Sequence, residues 1–259
     1  DDDDDDDGSD DTDEITVDFD FCDPKEADFH GLKALFKGYL DNTEFACSDL
    51  CDFVIKQKAV GTVVKTSDES EDPLGVTTVI SLNRYKDENF VKDIKKYVLN
   101  KCPAKDKKAF ESVLNDAATG LIINERIINV PQEAGEPLMN TLFEEIRYAT
   151  KDEETDEARK SFEFKNYILI STLYEDDGED ETPADGKKRK KGQAVKQRIF
   201  PRLEEELLLE NAKINFEWQG SGGESNEMAE LVPRRCCMVV EASGIANFLT
   251  EIKSIFENF

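Results

Sequence analysis

Histidine is almost missing from this chain of 259 residues, with His30 the only one. A single imidazole excludes Ser-His and Cys-His catalysis unless His30 itself serves. His30 precedes Gly31 at an expected helix start, where a surface or capping role is expected. Six cysteines stand at 22, 47, 51, 102, 236 and 237, and none forms a Cys-x-x-Cys pair. That spacing, with one histidine, argues against a structural zinc site. Cys47 and Cys51 fit one helix face and Cys236-Cys237 fits a strand, so both pairs read as small buried hydrophobes of a reduced, intracellular protein. No apolar run approaches the roughly 20 residues of a membrane helix. The chain begins at Asp1 rather than Met, which predicts a true N-terminus upstream and leaves a removed signal peptide open. Positive charge is also in deficit: 33 Lys+Arg against 59 Asp+Glu give a net −26. Such a field repels phosphate backbones and anionic membranes and attracts basic partners. Nucleic acid and membrane are therefore disfavoured as main ligands, and acidity for solubility alone is the competing reading.

What is present begins with an acidic head. Residues 1–14 hold Asp1–Asp7, Asp10, Asp11, Asp13 and Glu14, a composition that cannot bury apolar surface and predicts a disordered tail. The remainder, 15–259, reads as one α/β domain. Ile15 to Phe21 alternates as a half-buried strand, with Ile15, Val17, Phe19 and Phe21 inward. Asp28 is placed to cap a helix with Phe29, Leu32, Leu35, Phe36 and Tyr39 along its stripe. A second helix carries Leu50, Phe53 and Val54. Val60–Lys65 and Val76–Leu82 predict an antiparallel hairpin, and helices follow at Phe90–Val98 and Phe110–Leu114. Leu121–Ile123 and Ile127–Val130 read as one buried strand, broken or bulged at Asn124-Glu125-Arg126 and stopped by Pro131. Gly135 and Pro137 open a helix whose face is Leu138, Leu142, Ile146 and Ala149, widened by Met139 and Phe143. Residues 151–160 read as a charged connector and Ser161–Tyr174 as a strong strand. A low-complexity acidic then basic loop at 175–196 is expected to be disordered. Pro201–Glu206 suggests a helical turn, with Leu207–Leu209 open between helix and strand. Glu210–Trp218 and Arg235–Glu241 are predicted strands, Gly220–Glu227 a flexible loop, and Ile245–Phe256 a final amphipathic helix. Mixed hairpins and helices argue for a mixed, largely antiparallel sheet flanked by helices.

Three features bear on chemistry. The turn Gln132-Glu133-Ala134-Gly135-Glu136-Pro137, between a strand and a helix, resembles the pyrophosphate loop of the GCN-five-related N-acetyltransferases, in which backbone N–H groups at a helix N-terminus hold the diphosphate of coenzyme A. Pro137 stands where that loop needs Gly or Ala and removes a donor. Glu133 and Glu136 add charge of the wrong sign. Gln132, Gly135 and Pro137 thus mark a degenerate turn, an ordinary helix start without cofactor. Lys187-Lys188-Arg189-Lys190-Lys191 has the composition of a nuclear localisation signal. Asp18 and Asp20 alternate onto the solvent face, so with Asp23 they read as a polar surface rather than metal ligands. Trp218 is expected in the partly buried core.

The whole chain then resembles the BCCIP family, eukaryotic nuclear proteins named for binding a BRCA-type recombination protein and a cyclin-dependent-kinase inhibitor. The resemblance rests on Val17-Asp18-Phe19, Gly120-Leu121-Ile122, Glu125-Arg126-Ile127-Ile128-Asn129-Val130-Pro131, Pro137-Leu138, Glu204-Glu205-Glu206 with Glu210-Asn211-Ala212, and the closing strand and helix. It implies an acetyltransferase-like α/β fold that binds no acetyl-CoA, and no catalytic, cofactor or metal residues. It further implies a non-enzymatic nuclear chaperone of a basic large-subunit ribosomal protein of the universal L-fourteen type, served by a nuclear transport receptor and shuttling between nucleus and cytoplasm. The chaperone reading takes no small-molecule substrate, and two other readings stand beside it: an adaptor for DNA repair (recombination) or cell-cycle proteins, and a degenerate acetyltransferase.

Overall fold

Strand alternation sorts the apolar residues onto two faces of one sheet. The computed structural model describes residues 18–67, 72–176, 197–221 and 231–257. Its strands are β1 (Phe19–Cys22), β2 (Thr62–Thr66), β3 (Gly75–Ser81), β4 (Thr119–Arg126), β5 (Asn166–Asp176), β6 (Gln197–Ile199), β7 (Ala212–Gln219) and β8 (Leu231–Glu241). They lie in the order β1-β2-β3-β4-β5-β8-β7, with β6 beside the end of β5. Among the described residues only β4 and β5 pair in parallel, as expected for strands joined through helices. The other pairings are antiparallel.

Leu121 and Ile123 of β4 face one side with Val63, Ile80, Ile168, Ile170, Cys237 and Val239. Against them pack α1 (Phe29–Phe36), α2 (Cys47–Lys56), α3 (Asn89–Lys101) and α4 (Lys107–Leu114). Ile122 faces the other way with Val79, Leu169, Cys236 and Met238, where α5 (Gly135–Asp152), α7 (Leu203–Glu210) and α8 (Ile245–Phe256) cover it. The short α6 (Asp156–Lys160) links α5 to β5. The largest helix, α5, buries Leu138, Met139, Leu142 and Ile146 as its spacing requires. Each such side chain contributes about 1.5–3 kcal/mol relative to an exposed one.

The mixed, largely antiparallel sheet flanked by helices is the expected architecture, but several local expectations are corrected. The strand read over 121–130 is unbroken through Arg126 and then ends; residues 127–130 form a turn, closed by Val130 N–H on the Ile127 carbonyl at 3.2 Å. Asn124 and Arg126 do not interrupt the strand, because their polar groups find partners inside the protein. Phe21 is not inward: it is 43% exposed on the edge strand β1. Asp28 donates no cap to α1; it accepts the Lys25 N–H at 2.8 Å and pairs with Lys65. The charged connector 151–160 is the end of α5 and all of α6. Phe162 and Phe164 precede β5 rather than belonging to it, and Leu207–Leu209 are helical. Glu210 closes that helix instead of opening a strand. Glu175 and Asp176, assigned to the loop at 175–196, pair within β5. Residues 1–17 and 177–196, with the acidic head and the rest of that loop, lie outside the described residues, as do 222–227 of the predicted loop at 220–227.

Candidate functional site

The parallel pair β4–β5 is the place to look for a ligand, since parallel strands that part leave an opening at their carboxyl ends. Here the pairing runs from Thr119↔Asn166 to Ile122↔Leu169 and stops. Beyond it β4 continues to Arg126 and β5 to Asp176. The start of α7 fills the space between them. Glu204 and Glu205 are fully buried there, although glutamate is among the residues least often found inside.

Donors meet every oxygen of these two carboxylates. The Arg126 guanidinium donates to both oxygens of Glu204, Nη2 to Oε2 at 3.0 Å and Nη1 to Oε1. Asn124 Nδ2 donates to Glu204 Oε1 and to Glu205 Oε1, each at 2.9 Å. Arg202 Nε donates to Glu205 Oε1 at 2.6 Å, and Ser171 Oγ donates to Glu205 Oε2. Thr77 Oγ1 donates to Asn124 Oδ1 at 3.0 Å and so orients that amide. Arg202 Nη1 also reaches Glu125 Oε2 at 3.2 Å. Burial pushes the Glu205 carboxyl up, against the opposing pull of Arg202. Burial would lower Arg202, but the carboxylates of Glu125 and Glu205 outweigh it and hold the guanidinium charged. Arg126 and Arg202 thus balance two of the three carboxylates of Glu125, Glu204 and Glu205.

Two glycines make room for this arrangement. A Cβ on Gly75 would lie 2.8 Å from the Cβ of Arg126 in the neighbouring strand, so only glycine lets Arg126 sit there. A Cβ on Gly135 would meet Glu204 Oε2 at 2.4 Å. The three residues of the degenerate turn therefore have distinct places. Gly135 opens α5 and leaves room for the Glu204 carboxylate. Gln132 clamps the chain entering α7, donating to the Pro201 carbonyl and accepting the Leu203 N–H at 3.1 Å. Pro137 lies in the first turn of α5, where its missing N–H costs nothing. An internal carboxylate occupies the position beside the turn.

A second polar knot lies across the sheet. Asp41 and Asn42 both adopt left-handed backbone, with φ of 52° and 57°. Trp218 Nε1 donates to Asp41 Oδ2 at 3.0 Å, Tyr97 donates its hydroxyl to the same oxygen, and Arg235 lies 3.7 Å from Asp41 Oδ1. Trp218 is thus buried core with its N–H satisfied, and the turn it braces is fixed in place.

Elsewhere the chemistry is sparse. Among the described residues no group of three or more His, Cys, Asp and Glu could hold a metal ion, and Asp18, Asp20 and Asp23 are exposed on the surface. Burial pushes the thiols of Cys51 and Cys236 up to about 12, so neither is a nucleophile in the folded chain. No described helix is long and apolar enough to cross a membrane. The basic run Lys187–Lys191 lies outside the described residues.

The sequence reading missed Asn124, Arg126, Ser171, Arg202, Glu204 and Glu205 as one unit. The available signal was the misfit of each to its surroundings: an Asn and an Arg inside a β-branched strand, and paired glutamates at the start of a leucine-rich helix.

Comparison with known proteins fits these positions. The BCCIP family model matches residues 14–208, which include both halves of the buried network. The BCCIP homolog of Arabidopsis thaliana is 32% identical over 254 residues, covering 96% of this chain and 77% of that protein. The bcp1 protein of Schizosaccharomyces pombe is 30% identical over 266 residues, covering 95% of this chain and 92% of that one. In fold, the chain is similar to the crystal structure of BCP1 from Saccharomyces cerevisiae, with a TM-score of 0.64, 21% identity, and coverage of 92% and 88%. The chain belongs to the BCCIP family.

Proposed function

We propose that this BCCIP-family chain is a nuclear escort for a basic protein, a large-subunit ribosomal protein of the universal L-fourteen type, and that it performs no chemistry of its own. The observation that carries the reading is the fate of its acidic groups. The carboxylates at the parting of β4 and β5 are consumed by Arg126, Arg202, Asn124 and Ser171. The large surplus behind the net −26 therefore lies outside this buried network. A surface of that sign attracts a basic protein over about a Debye length and masks its charge until it is handed on. On this reading the parting parallel pair and the strand-turn-helix after β4 are an acetyltransferase-like frame that has lost its cofactor site. Glu204 stands against Gly135 where such an enzyme would need space for a diphosphate, and its negative charge disfavours one. Lys187–Lys191 supply the import signal, and export returns the loaded chain to the cytoplasm through a transport receptor.

The test is a pull-down of the tagged chain from nuclear extract. The ribosomal protein is expected as a major partner; its absence beside abundant recombination or cell-cycle proteins would replace the escort with the adaptor reading. Calorimetry with acetyl-CoA separates the enzyme reading: no heat is expected, and micromolar binding would overturn the role given to Glu204.

A further inference from the structure

Strand β1 is the open edge of the sheet, and it carries an apolar side chain out to solvent. Native sheets blunt such edges, because a strand with unpaired N–H and C=O groups recruits another. Two hydrogen bonds show which groups are unpaired. Ser67 N–H donates to the Asp18 carbonyl at 3.0 Å, so Asp18 forms a hydrogen-bonded pair with β2. Leu74 N–H donates to the Val64 carbonyl at 2.7 Å, so Val64 turns its backbone towards β3 and away from its register partner Phe21. By antiparallel alternation the backbone groups of Phe19 and Phe21 point away from β2, towards the edge that no described strand covers.

Beside this edge lies an apolar patch. Phe19 and Leu74 pack against the small cluster of Val64, Val130, Ala134 and Leu138. Ile127 is tied to Leu74 through its N–H on the Leu74 carbonyl at 2.9 Å. Phe21, Ile127 and Ile128 are exposed by 43%, 40% and 67%, three of the five large hydrophobics that stand out on the described surface. Exposed carboxylates lie close by in the chain: Asp18 and Asp20 alternate with Phe19 and Phe21 along β1 on its other face, and Asp72 and Glu133 stand within three residues of Leu74 and Val130. A purely solvated face would not concentrate apolar side chains beside an unpaired edge.

The geometry points to β1 as a docking edge for an extended basic segment of the partner, which adds a strand beside Phe19–Cys22 and sets apolar side chains on Phe21, Ile127 and Ile128. This rests on the escort reading above and gives it a location. The acidic rim selects a basic strand and disfavours a second copy of this chain, whose own rim and net −26 would repel it.

The test uses the full chain and a synthetic peptide of alternating lysine and valine, with a proline-interrupted peptide of the same charge as control. Amide hydrogen exchange is read with and without peptide. The expected result is exchange at Phe19 and Phe21 slowed at least tenfold on saturation by the alternating peptide alone. Ile128→Ser, which removes the apolar contact without adding charge, is expected to weaken its binding at least tenfold, at a position exposed enough to leave folding intact. Binding that slows exchange elsewhere and leaves 18–22 unchanged overturns the docking edge. If the ribosomal protein still binds in that case, the escort reading survives. Failure of the peptide and the ribosomal protein alike overturns both. Slow exchange at 18–22 in the free chain, lost on dilution of a dimer or on removal of residues 1–14, would assign the edge to a second copy or to the chain's own head and also overturn the proposal.

Discussion

One transverse row of the sheet joins two regions with opposite fates. Phe21, Val64, Gly75 and Arg126 lie side by side across β1, β2, β3 and β4. At one end Arg126 is buried and its charge is matched by Glu204. At the other end Phe21 stands in solvent at an edge that no described strand covers. Inside, Asn124, Arg126, Glu204 and Glu205 meet one another, whereas no described strand takes up the backbone donors of the edge. On the escort reading the outside makes the contacts, and the inside serves to hold that outside in place.

The largest effect is expected from breaking the interior end. Arg126→Ala leaves Glu204 buried without its bidentate partner and should lower the unfolding free energy by about 3–5 kcal/mol. Urea unfolding measures it. Replacing both partners, Arg126→Met with Glu204→Leu, should recover most of the loss, since an apolar pair carries no desolvation cost. A double variant as unstable as the single one would show that the pair is not what seals the opening. A smaller loss, about 1–3 kcal/mol, is expected for Gly135→Ala, whose methyl group must displace the Glu204 carboxylate from its donors.

Proton binding sharpens the same contrast. Burial raises Glu205 in the folded chain above its unfolded value. A raised carboxyl holds its proton more tightly when folded, so its contribution to stability is present below the unfolded pKa and is lost as pH rises through the folded one. The stability of Glu205→Gln relative to the parent should therefore climb with pH upward from the ordinary carboxylate range, near about 4.3. A flat difference would mean that Arg202 and Ser171 cancel the cost of burial in full. At the exposed end the smallest change is expected: Ile128→Ser should alter stability by no more than about 0.5 kcal/mol, with thermal unfolding as the check.

How much of this was legible in the sequence follows from range. The helix opening at Gly135 follows from short-range periodicity, which burial on one face enforces, and the strands at 76–81 and 235–241 follow from short apolar runs that the fold buries on both faces. The end of β4 was misread because Asn124 and Arg126 break the apolar pattern locally, and the partners that make them acceptable lie about 80 residues further on. The same distance hid the role of Gly135. A glycine at a helix start has several ordinary explanations, and only the fold brings Glu204 against it. Phe21 was misassigned for a related reason: alternation gives the face of a strand but not whether that face is covered at the sheet's edge.

The central claim is that charge on the outer surface recruits a basic partner while the opening at β4–β5 stays shut. The most direct measurement is the affinity for the universal L-fourteen ribosomal protein as salt is raised from about 50 mM to about 300 mM, over which the Debye length shortens from about 14 Å to about 6 Å. The account expects tight binding at the lower salt and at least a tenfold loss at the higher. Binding that is absent, or indifferent to salt, would contradict it.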